Sequence, residues 1–127
     1  MEAVIHLDTH VVVWLYIGDA RRLRPVWRTL DRSELVISPI VPLELQHLYE
    51  VGKTTEPGEA VLANLVDQFG LRLSGAPFSQ VAYHALHQTW TRDPFDRLIV
   101  GTALADHAPL LTRDASIRRH CKTAFWK

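Results

Sequence analysis

The sequence predicts an α/β fold built around a parallel sheet. Short apolar runs alternate along the chain with longer segments of helical period, which is the pattern of strands joined by crossover helices. Several carboxylates also stand where a predicted strand ends or a helix begins, the place where open parallel sheets carry functional groups. At 127 residues the chain is long enough to bury most of its apolar surface, so we predict a single domain over residues 1–127.

Five short apolar runs predict the strands of this sheet. They are residues 3–7, 35–38, 71–73 and 109–112, with 123–126 as an edge strand. The first run is typical of a buried strand, so we expect it to lie inside the sheet.

Apolar residues at helical spacing predict the helices between the strands. The clearest helix covers 94–106, where Phe95, Leu98, Ile99, Thr102 and Ala103 share one face. Other helices are predicted around Leu45, Leu48 and Tyr49, around Val61, Leu62, Leu65, Val66 and Phe69, and around Val81, Ala85 and Leu86. A basic stretch with Arg21, Arg22, Arg24, Arg28 and Arg32 has Val26, Trp27 and Leu30 as its apolar side, which predicts an amphipathic helix.

The segment 11–17 fits two structures. Its β-branched residues favour a strand. Asp8 and Thr9 are good N-caps, however, and Gly18 is a good C-terminal stop, so we predict a short helix.

Composition excludes several classes of protein. Fourteen Lys and Arg residues balance fourteen Asp and Glu residues, so the chain is not a strongly basic coat for nucleic acid. The single cysteine, Cys121, excludes an intramolecular disulfide and a Cys/His zinc site, and we expect a reducing, cytoplasmic setting. The longest apolar run, 11–17, is far shorter than the roughly 20 residues of a membrane span, so no membrane partner is expected.

Four carboxylates fall near the carboxyl ends of predicted strands or at a helix start: Asp8, Glu44, Asp96 and Asp114, with Asp93 beside Asp96. In a parallel sheet these ends meet at one edge, so we expect the carboxylates to converge there. A hard divalent cation such as Mg²⁺ or Mn²⁺ relieves the repulsion between them. The chemistry this implies is phosphodiester hydrolysis by an ion-activated water.

Each acid also has a purely structural explanation. Asp8 and Asp114 fit as N-caps, and Asp93 with Pro94 fits a helix opening that places Asp96 favourably against the helix dipole. Glu44, two residues after Pro42, is open to the same explanation. Capping does not explain why the acids stand in register after several strands, so the joint functional interpretation is preferred.

Four blocks of sequence resemble the PIN-domain family of metal-dependent ribonucleases and, within it, the VapC-type toxins of toxin–antitoxin pairs. The blocks are IHLDTH at 5–10, ISPIVPLEL at 37–45, RDPFDRLI at 92–99 and LLTRD at 110–114. They span nearly the whole chain in order, and the third is the most specific. The resemblance implies a single PIN domain, a three-layer α/β/α fold with a short, mostly parallel central sheet.

The resemblance also implies site residues and partners. Asp8, Glu44, Asp96 and Asp114 take the catalytic, metal-binding positions for Mg²⁺ or Mn²⁺. Asp93, Thr9 and Thr112 are supporting residues, with Asp93 interpreted as a cap and the threonines as hydroxyls that orient carboxylates. The implied protein is an endoribonuclease toxin with an RNA substrate and a cognate antitoxin, and it is expected to form a homodimer.

Two surfaces are predicted beside the acids. Arg92, Arg97 and Arg113 are candidates for holding the RNA backbone, against the alternative of a solvated face in which Arg97 pairs with an acid. Trp14, Tyr16 and Trp27 are candidates for lining an antitoxin groove, against the alternative of core aromatics. His10 and His47 are expected close enough to the acids to tune them.

Two other functions fit an acidic cluster that binds Mg²⁺. One is a receiver-like signalling domain, which requires an acceptor Asp after the central strand and a Lys after the last long strand. Residues 71–75 and 110–114 supply neither. The other is a PIN fold kept only for binding, against which the complete set of acids argues.

Overall fold

The computed structural model of the protein describes residues 3–127, which form a three-layer α/β/α arrangement around a five-stranded sheet. The strands are β1 (Ala3–Leu7), β2 (Ser33–Ile37), β3 (Arg72–Leu73), β4 (Leu110–Leu111) and β5 (Ala124–Phe125). Their order across the sheet is β3-β2-β1-β4-β5, and every pairing is parallel. The predicted fold class is therefore confirmed, and β1 is the central strand.

The helices lie between the strands in the chain and pack against the sheet. They are α1 (Thr9–Ile17), α2 (Ala20–Leu23), α3 (Trp27–Arg32), α4 (Ile40–Glu50), α5 (Gly58–Phe69), α6 (Phe78–Leu86), α7 (Pro94–Ala105) and α8 (Ala115–His120). Leu7, Ile37 and Leu111 are fully buried at the carboxyl ends of β1, β2 and β4, so the core reaches the edge where the site is expected.

The ambiguous segment after β1 is a helix, as predicted. Asp8 caps the N-terminus of α1 through its side chain, and Gly18 ends the helix with a φ of 70°. Glycine adopts this left-handed conformation without the steric penalty that a Cβ imposes.

One helix prediction is wrong. The basic stretch from Arg21 to Arg32 is not a continuous amphipathic helix, because α2 and α3 are separated by a 3₁₀ turn over Arg24–Val26. Pro25 lies in this turn, and proline has no N–H to donate to a continuing α-helix. The short helix α8 was not predicted, since six residues are too few to show a period.

Three contacts fix the position of α7, the helix that carries Asp96. A Cβ on Gly101 would lie 2.7 Å from the carbonyl oxygen of Val81, so α6 and α7 approach as closely as a glycine allows. The Thr102 hydroxyl donates to Ser38 Oγ at 2.7 Å, which ties α7 to the residue after β2. Asp106, the C-cap, lies 2.8 Å from His6 Nε2 of β1. These contacts hold α7 against α6, against β1 and against the residue that follows β2.

Across residues 3–127, none of the helices has both the length and the apolar character that crossing a bilayer requires.

Candidate active site

Asp8 lies at the carboxyl end of the central strand and is only 5% exposed. Its Oδ1 accepts a hydrogen bond of 2.8 Å from the Thr9 backbone N–H, and its Oδ2 accepts one of 2.6 Å from the Thr112 hydroxyl. Burial raises the pKa of Asp8 above its ordinary value, and the bond from Thr112 opposes that rise. The carboxylate is thus fixed in direction by two donors from different elements.

Glu44 approaches the same edge from α4. Its Oε1 accepts a 2.5 Å hydrogen bond from the hydroxyl of Thr9, which is fully buried. Burial raises the pKa of Glu44, and the charges of Asp8 and Asp93 raise it further against the opposing bond from Thr9. The helix begins at Ile40, so explaining Glu44 as part of the helix opening is wrong. The hydrogen bond from Thr9 holds the Glu44 side chain in this position, and Glu44 caps no helix.

Asp114 reaches the edge from the segment after β4. Its Oδ1 caps α8 by accepting from the backbone N–H groups of Ser116 and Ile117, at 2.8 and 3.0 Å. Its own N–H donates to Thr112 Oγ1 at 3.1 Å. Because Thr112 also donates to Asp8, this one buried hydroxyl connects two of the four predicted acids.

Asp96 is half-buried in the first turn of α7. Burial, and then the charges of Asp93, Asp8, Asp114 and Glu44 in that order, raise the pKa of Asp96 to about 7. Each of these four carboxylates therefore lies within electrostatic reach of Asp96. Their joint role as one site stays a prediction.

Asp93 acts as a cap, as predicted. Its Oδ1 accepts from the Phe95 N–H at 2.9 Å, and its side chain is exposed. Asp8 and Asp114 also cap helices, and in each the cap occupies one oxygen, Oδ1. Capping and ligation are therefore compatible, since a carboxylate has two oxygens and about four lone-pair sites.

The donor set fits a hard divalent cation. All the converging side chains offer carboxylate oxygens, the ligands that Mg²⁺ and Mn²⁺ prefer, and a cation relieves the repulsion that raises the pKa of Asp96. As the side chains stand, no three carboxylate, histidine or cysteine groups within residues 3–127 are close enough to enclose one ion. Ion binding therefore requires side-chain rotation. Asp114 is exposed and Glu44 and Asp96 are half-buried, so these side chains are not enclosed by the core.

The two predicted histidines lie beside the acids. The charge of His10 lowers the pKa of both Asp8 and Glu44, against the larger effect of burial. The His47 ring lies 6.0 Å from the Phe95 ring, next to Asp96 in the chain. The position of His10 agrees with a tuning role, whereas that of His47 stays a prediction.

The three predicted RNA-binding arginines form no ion pair with a carboxylate among residues 3–127. Arg92 donates to the Thr89 carbonyl and Arg97 to the Thr91 carbonyl, both at 2.9 Å. Arg113 lies 6.0 Å from the centre of the Trp14 ring. The alternative in which Arg97 pairs with an acid is wrong.

The aromatic residues of the predicted groove separate into two places. Tyr16 and Trp27 line an apolar groove of about 740 Å³, together with residues of α1, α2 and the end of α5. Trp14 is absent from that lining, and its ring instead faces Arg22 and Arg113. The grouping of all three aromatics in one groove is therefore wrong for Trp14.

Sequence reasoning missed the surroundings of Trp14. Trp126 packs edge-on against it at 6.0 Å, and Arg21, Arg22, Pro25, Arg113 and Trp126 line a cleft of about 300 Å³. These residues come from three distant parts of the chain, so no local spacing indicated the cleft.

Comparison with known proteins identifies the class to which this fold and site belong. The PIN domain family profile matches residues 5–123, so the chain belongs to the PIN domain family. No curated protein sequence matches the chain. The receiver-like alternative is not favoured, because this family accounts for the fold over nearly the whole chain.

Solved structures with the same fold include toxin–antitoxin complexes. VapBC2 from Rickettsia felis, bound to a promoter DNA fragment, is 18% identical with a TM-score of 0.68, over 98% of this chain and 97% of that chain. DNA-bound VapBC from Salmonella typhimurium is 20% identical with a TM-score of 0.65, over 100% and 98%. VapBC-1 from nontypeable Haemophilus influenzae is 19% identical with a TM-score of 0.65, over 98% and 96%. At these identities the likeness is one of fold.

The raised pKa of Asp96 predicts a pH-dependent stability without divalent ions. An unfolded chain releases this proton near 3.8, whereas the folded chain keeps it to about 7, so stability falls as pH rises between these values. In EDTA, Asp96→Asn should therefore be more stable than the parent at pH 8, by on the order of 1 to 2 kcal/mol after solvent screening.

Urea denaturation at pH 4 and pH 8 measures this effect. The difference should be much smaller at pH 4, where the folded Asp96 is neutral and the unfolded side chain is only about half ionised. Asp67→Asn, a change at an exposed acid of α5, is the control and should show no such pH-dependent gain. A parent protein as stable as Asp96→Asn at pH 8 would contradict the raised pKa of Asp96.

Proposed function

We propose that this protein is an endoribonuclease that requires Mg²⁺ or Mn²⁺, with Asp8, Glu44, Asp96 and Asp114 as the metal ligands. The observation that carries the proposal is the set of hydrogen bonds at this edge, in which Thr112 joins Asp8 to Asp114 and Thr9 holds Glu44. Burial, and then the charges of the neighbouring carboxylates, also raise the pKa of Asp96 to about 7. A site that concentrates this much negative charge at a sheet edge is suited to a divalent cation. Membership of the PIN domain family supports nuclease activity.

The protein's own residues hold the carboxylates ready. Thr112 directs Asp8 and receives the N–H of Asp114, while Thr9 directs Glu44. The buried hydroxyls hold Asp8 and bring Glu44 to this edge, which is the contribution expected of groups behind a metal site. The exposed Asp114 and the half-buried Asp96 can make the rotation that ion binding requires. A bound divalent ion would supply an activated water and charge stabilisation for phosphodiester hydrolysis.

Arg92 and Arg97 are proposed to hold the RNA backbone near Asp96. Their guanidinium groups are anchored to backbone carbonyls, which leaves the positive charge unneutralised by any carboxylate among residues 3–127. Arginine presents several donors in one plane and suits phosphate oxygens.

The biological role we propose is that of a toxin controlled by a cognate antitoxin, acting on RNA in the cytoplasm. The solved structures of similar fold described above are VapBC complexes, which supports a protein partner. The expected homodimer stays a prediction, since the structure describes one chain.

The apolar groove beside α1 is the proposed antitoxin site. Trp27 is 47% exposed and Ile17 61% exposed, and Arg24 and Arg28 stand at the same groove. This combination fits an amphipathic segment that carries apolar anchors and acidic flanking residues. The toxin–antitoxin assemblies among the similar folds favour such a segment over a small molecule.

Loss of one ligand should abolish cleavage without unfolding the protein. With cellular RNA and Mn²⁺ or Mg²⁺, the antitoxin-free protein should give discrete fragments that EDTA suppresses. Asp96→Asn should reduce the rate by about 10²-fold or more, because it removes a ligand and its charge but keeps the side-chain shape. Asp67→Asn is the matched control and should cleave at the parental rate. A folded Asp96→Asn protein with full activity would refute the proposed site.

The groove proposal is tested by tryptophan fluorescence. A synthetic amphipathic peptide with apolar anchors and acidic flanking residues should change the emission of Trp27, and Trp27→Phe should remove that change. Trp90→Phe, which alters a tryptophan outside the groove lining, should retain it. Binding that leaves the Trp27 signal unchanged would place the antitoxin elsewhere.

A further inference from the structure

We propose that the basic cleft formed by Arg21, Arg22, Pro25, Arg113 and Trp126 binds single-stranded RNA next to the bond that is cut. The inference rests on the proposed nuclease function and names a substrate-binding site for it. The basic cleft measures about 300 Å³ and adjoins the apolar groove of Tyr16 and Trp27, with which it shares only Pro25 among its lining residues.

The basic cleft carries an excess of positive charge. Arg22 Nη1 pairs with Asp19 Oδ2 at 2.5 Å, but neither Arg21 nor Arg113 pairs with a carboxylate within residues 3–127. Three arginines against one acid leave a local charge of +2 in a chain whose formal net charge is zero. A phosphate backbone is the ligand that such a patch attracts.

Two indole rings stand among these guanidinium groups. The guanidinium carbons of Arg22 and Arg113 lie 5.5 and 6.0 Å from the centre of the Trp14 ring. Trp126 meets Trp14 edge-on, at 6.0 Å and 77°. Both residues are partly exposed, and Trp126 lines the basic cleft. Tryptophan faces stack on nucleobases of any sequence, and arginine adds to this contact.

Two links connect the basic cleft with the carboxylates. Arg113, which lines the cleft, directly precedes Asp114 in the chain. The Trp14 ring lies 6.3 Å from the ring of His10, which follows Asp8 by two residues. Under the proposed function, an RNA strand cut at these acids would extend toward the arginines.

The combination favours single-stranded RNA over an acidic peptide. A peptide needs carboxylates for the arginines and separate apolar side chains for the rings, whereas a single nucleotide carries both a phosphate and a base. Arg113 also directly precedes Asp114 of the proposed nuclease site, where RNA is the substrate. Bases of a duplex are already stacked on each other and cannot reach Trp14 or Trp126, while unpaired bases can.

Binding without cleavage tests this proposal. A fluorescently labelled 12-nucleotide single-stranded RNA is titrated in EDTA with the full chain carrying Asp96→Asn, and anisotropy gives the Kd. Adding Arg21→Gln and Arg113→Gln should weaken binding about tenfold or more at 0.1 M salt. It should also lower the slope of log K against log salt by about 1.4, that is, about 0.7 for each lost phosphate contact.

The matched control removes the same charge elsewhere. Arg32 directly precedes β2 and Lys53 follows the C-terminus of α4, so both lie away from the carboxyl ends of the strands. Arg32→Gln with Lys53→Gln should therefore leave the Kd within about twofold. An equal loss in both variants, or no loss in the cleft variant, would overturn the proposal. So would a cleft variant that keeps RNA binding but loses affinity for an acidic peptide.

A second titration isolates the stacking. An oligonucleotide of the same length without bases should bind the parent on the order of tenfold more weakly than the normal RNA. Equal affinity for the two would refute the role of Trp14 and Trp126. Because neither titration requires cleavage, a protein that binds RNA through the basic cleft but never cuts it refutes the nuclease proposal alone.

Discussion

Repulsion among carboxylates is the constraint around which this edge of the sheet is arranged. Asp8, at the end of the central strand, is nearly buried, and burial with four neighbouring charges raises the pKa of Asp96 to about 7. Such groups would move apart unless other contacts held them. Thr9 holds Glu44 and Thr112 holds Asp8 by hydrogen bonds. The close approach at Gly101 and the hydrogen bond between Thr102 and Ser38 hold α7, which carries Asp96, in place.

The helix α1 contributes to three surfaces: the edge with the carboxylates, the basic cleft and the apolar groove. Asp8 caps its N-terminus at the acids, Trp14 in its middle faces the basic cleft, and Tyr16 near its end lines the apolar groove. Under the proposed function, substrate binding, catalysis and antitoxin binding therefore depend on one helix of nine residues. An antitoxin bound at the groove would lie within a few turns of the catalytic edge.

Local chemistry explains which features the sequence predicted. Caps and strand ends depend on adjacent residues, so α1 with Asp8 and Gly18, and the positions of the acids, were predictable. Pro25 could have indicated the break between α2 and α3, but the arginine periodicity concealed it. The pairing of Trp14 with Trp126 joins residues far apart in the chain, and only tertiary packing brings them together. For the same reason Trp14 was assigned to the wrong surface.

Calorimetric titration of Mn²⁺ into the folded, antitoxin-free protein tests the central claim most directly. At pH 7, in two buffers of different ionisation enthalpy, we expect binding accompanied by proton release, because the ion displaces the proton that repulsion keeps on Asp96. Asp96→Asn should bind more weakly and release less. Folded protein that takes up no Mn²⁺ at about millimolar concentration would contradict the account and leave the acids as helix caps and hydrogen-bond acceptors.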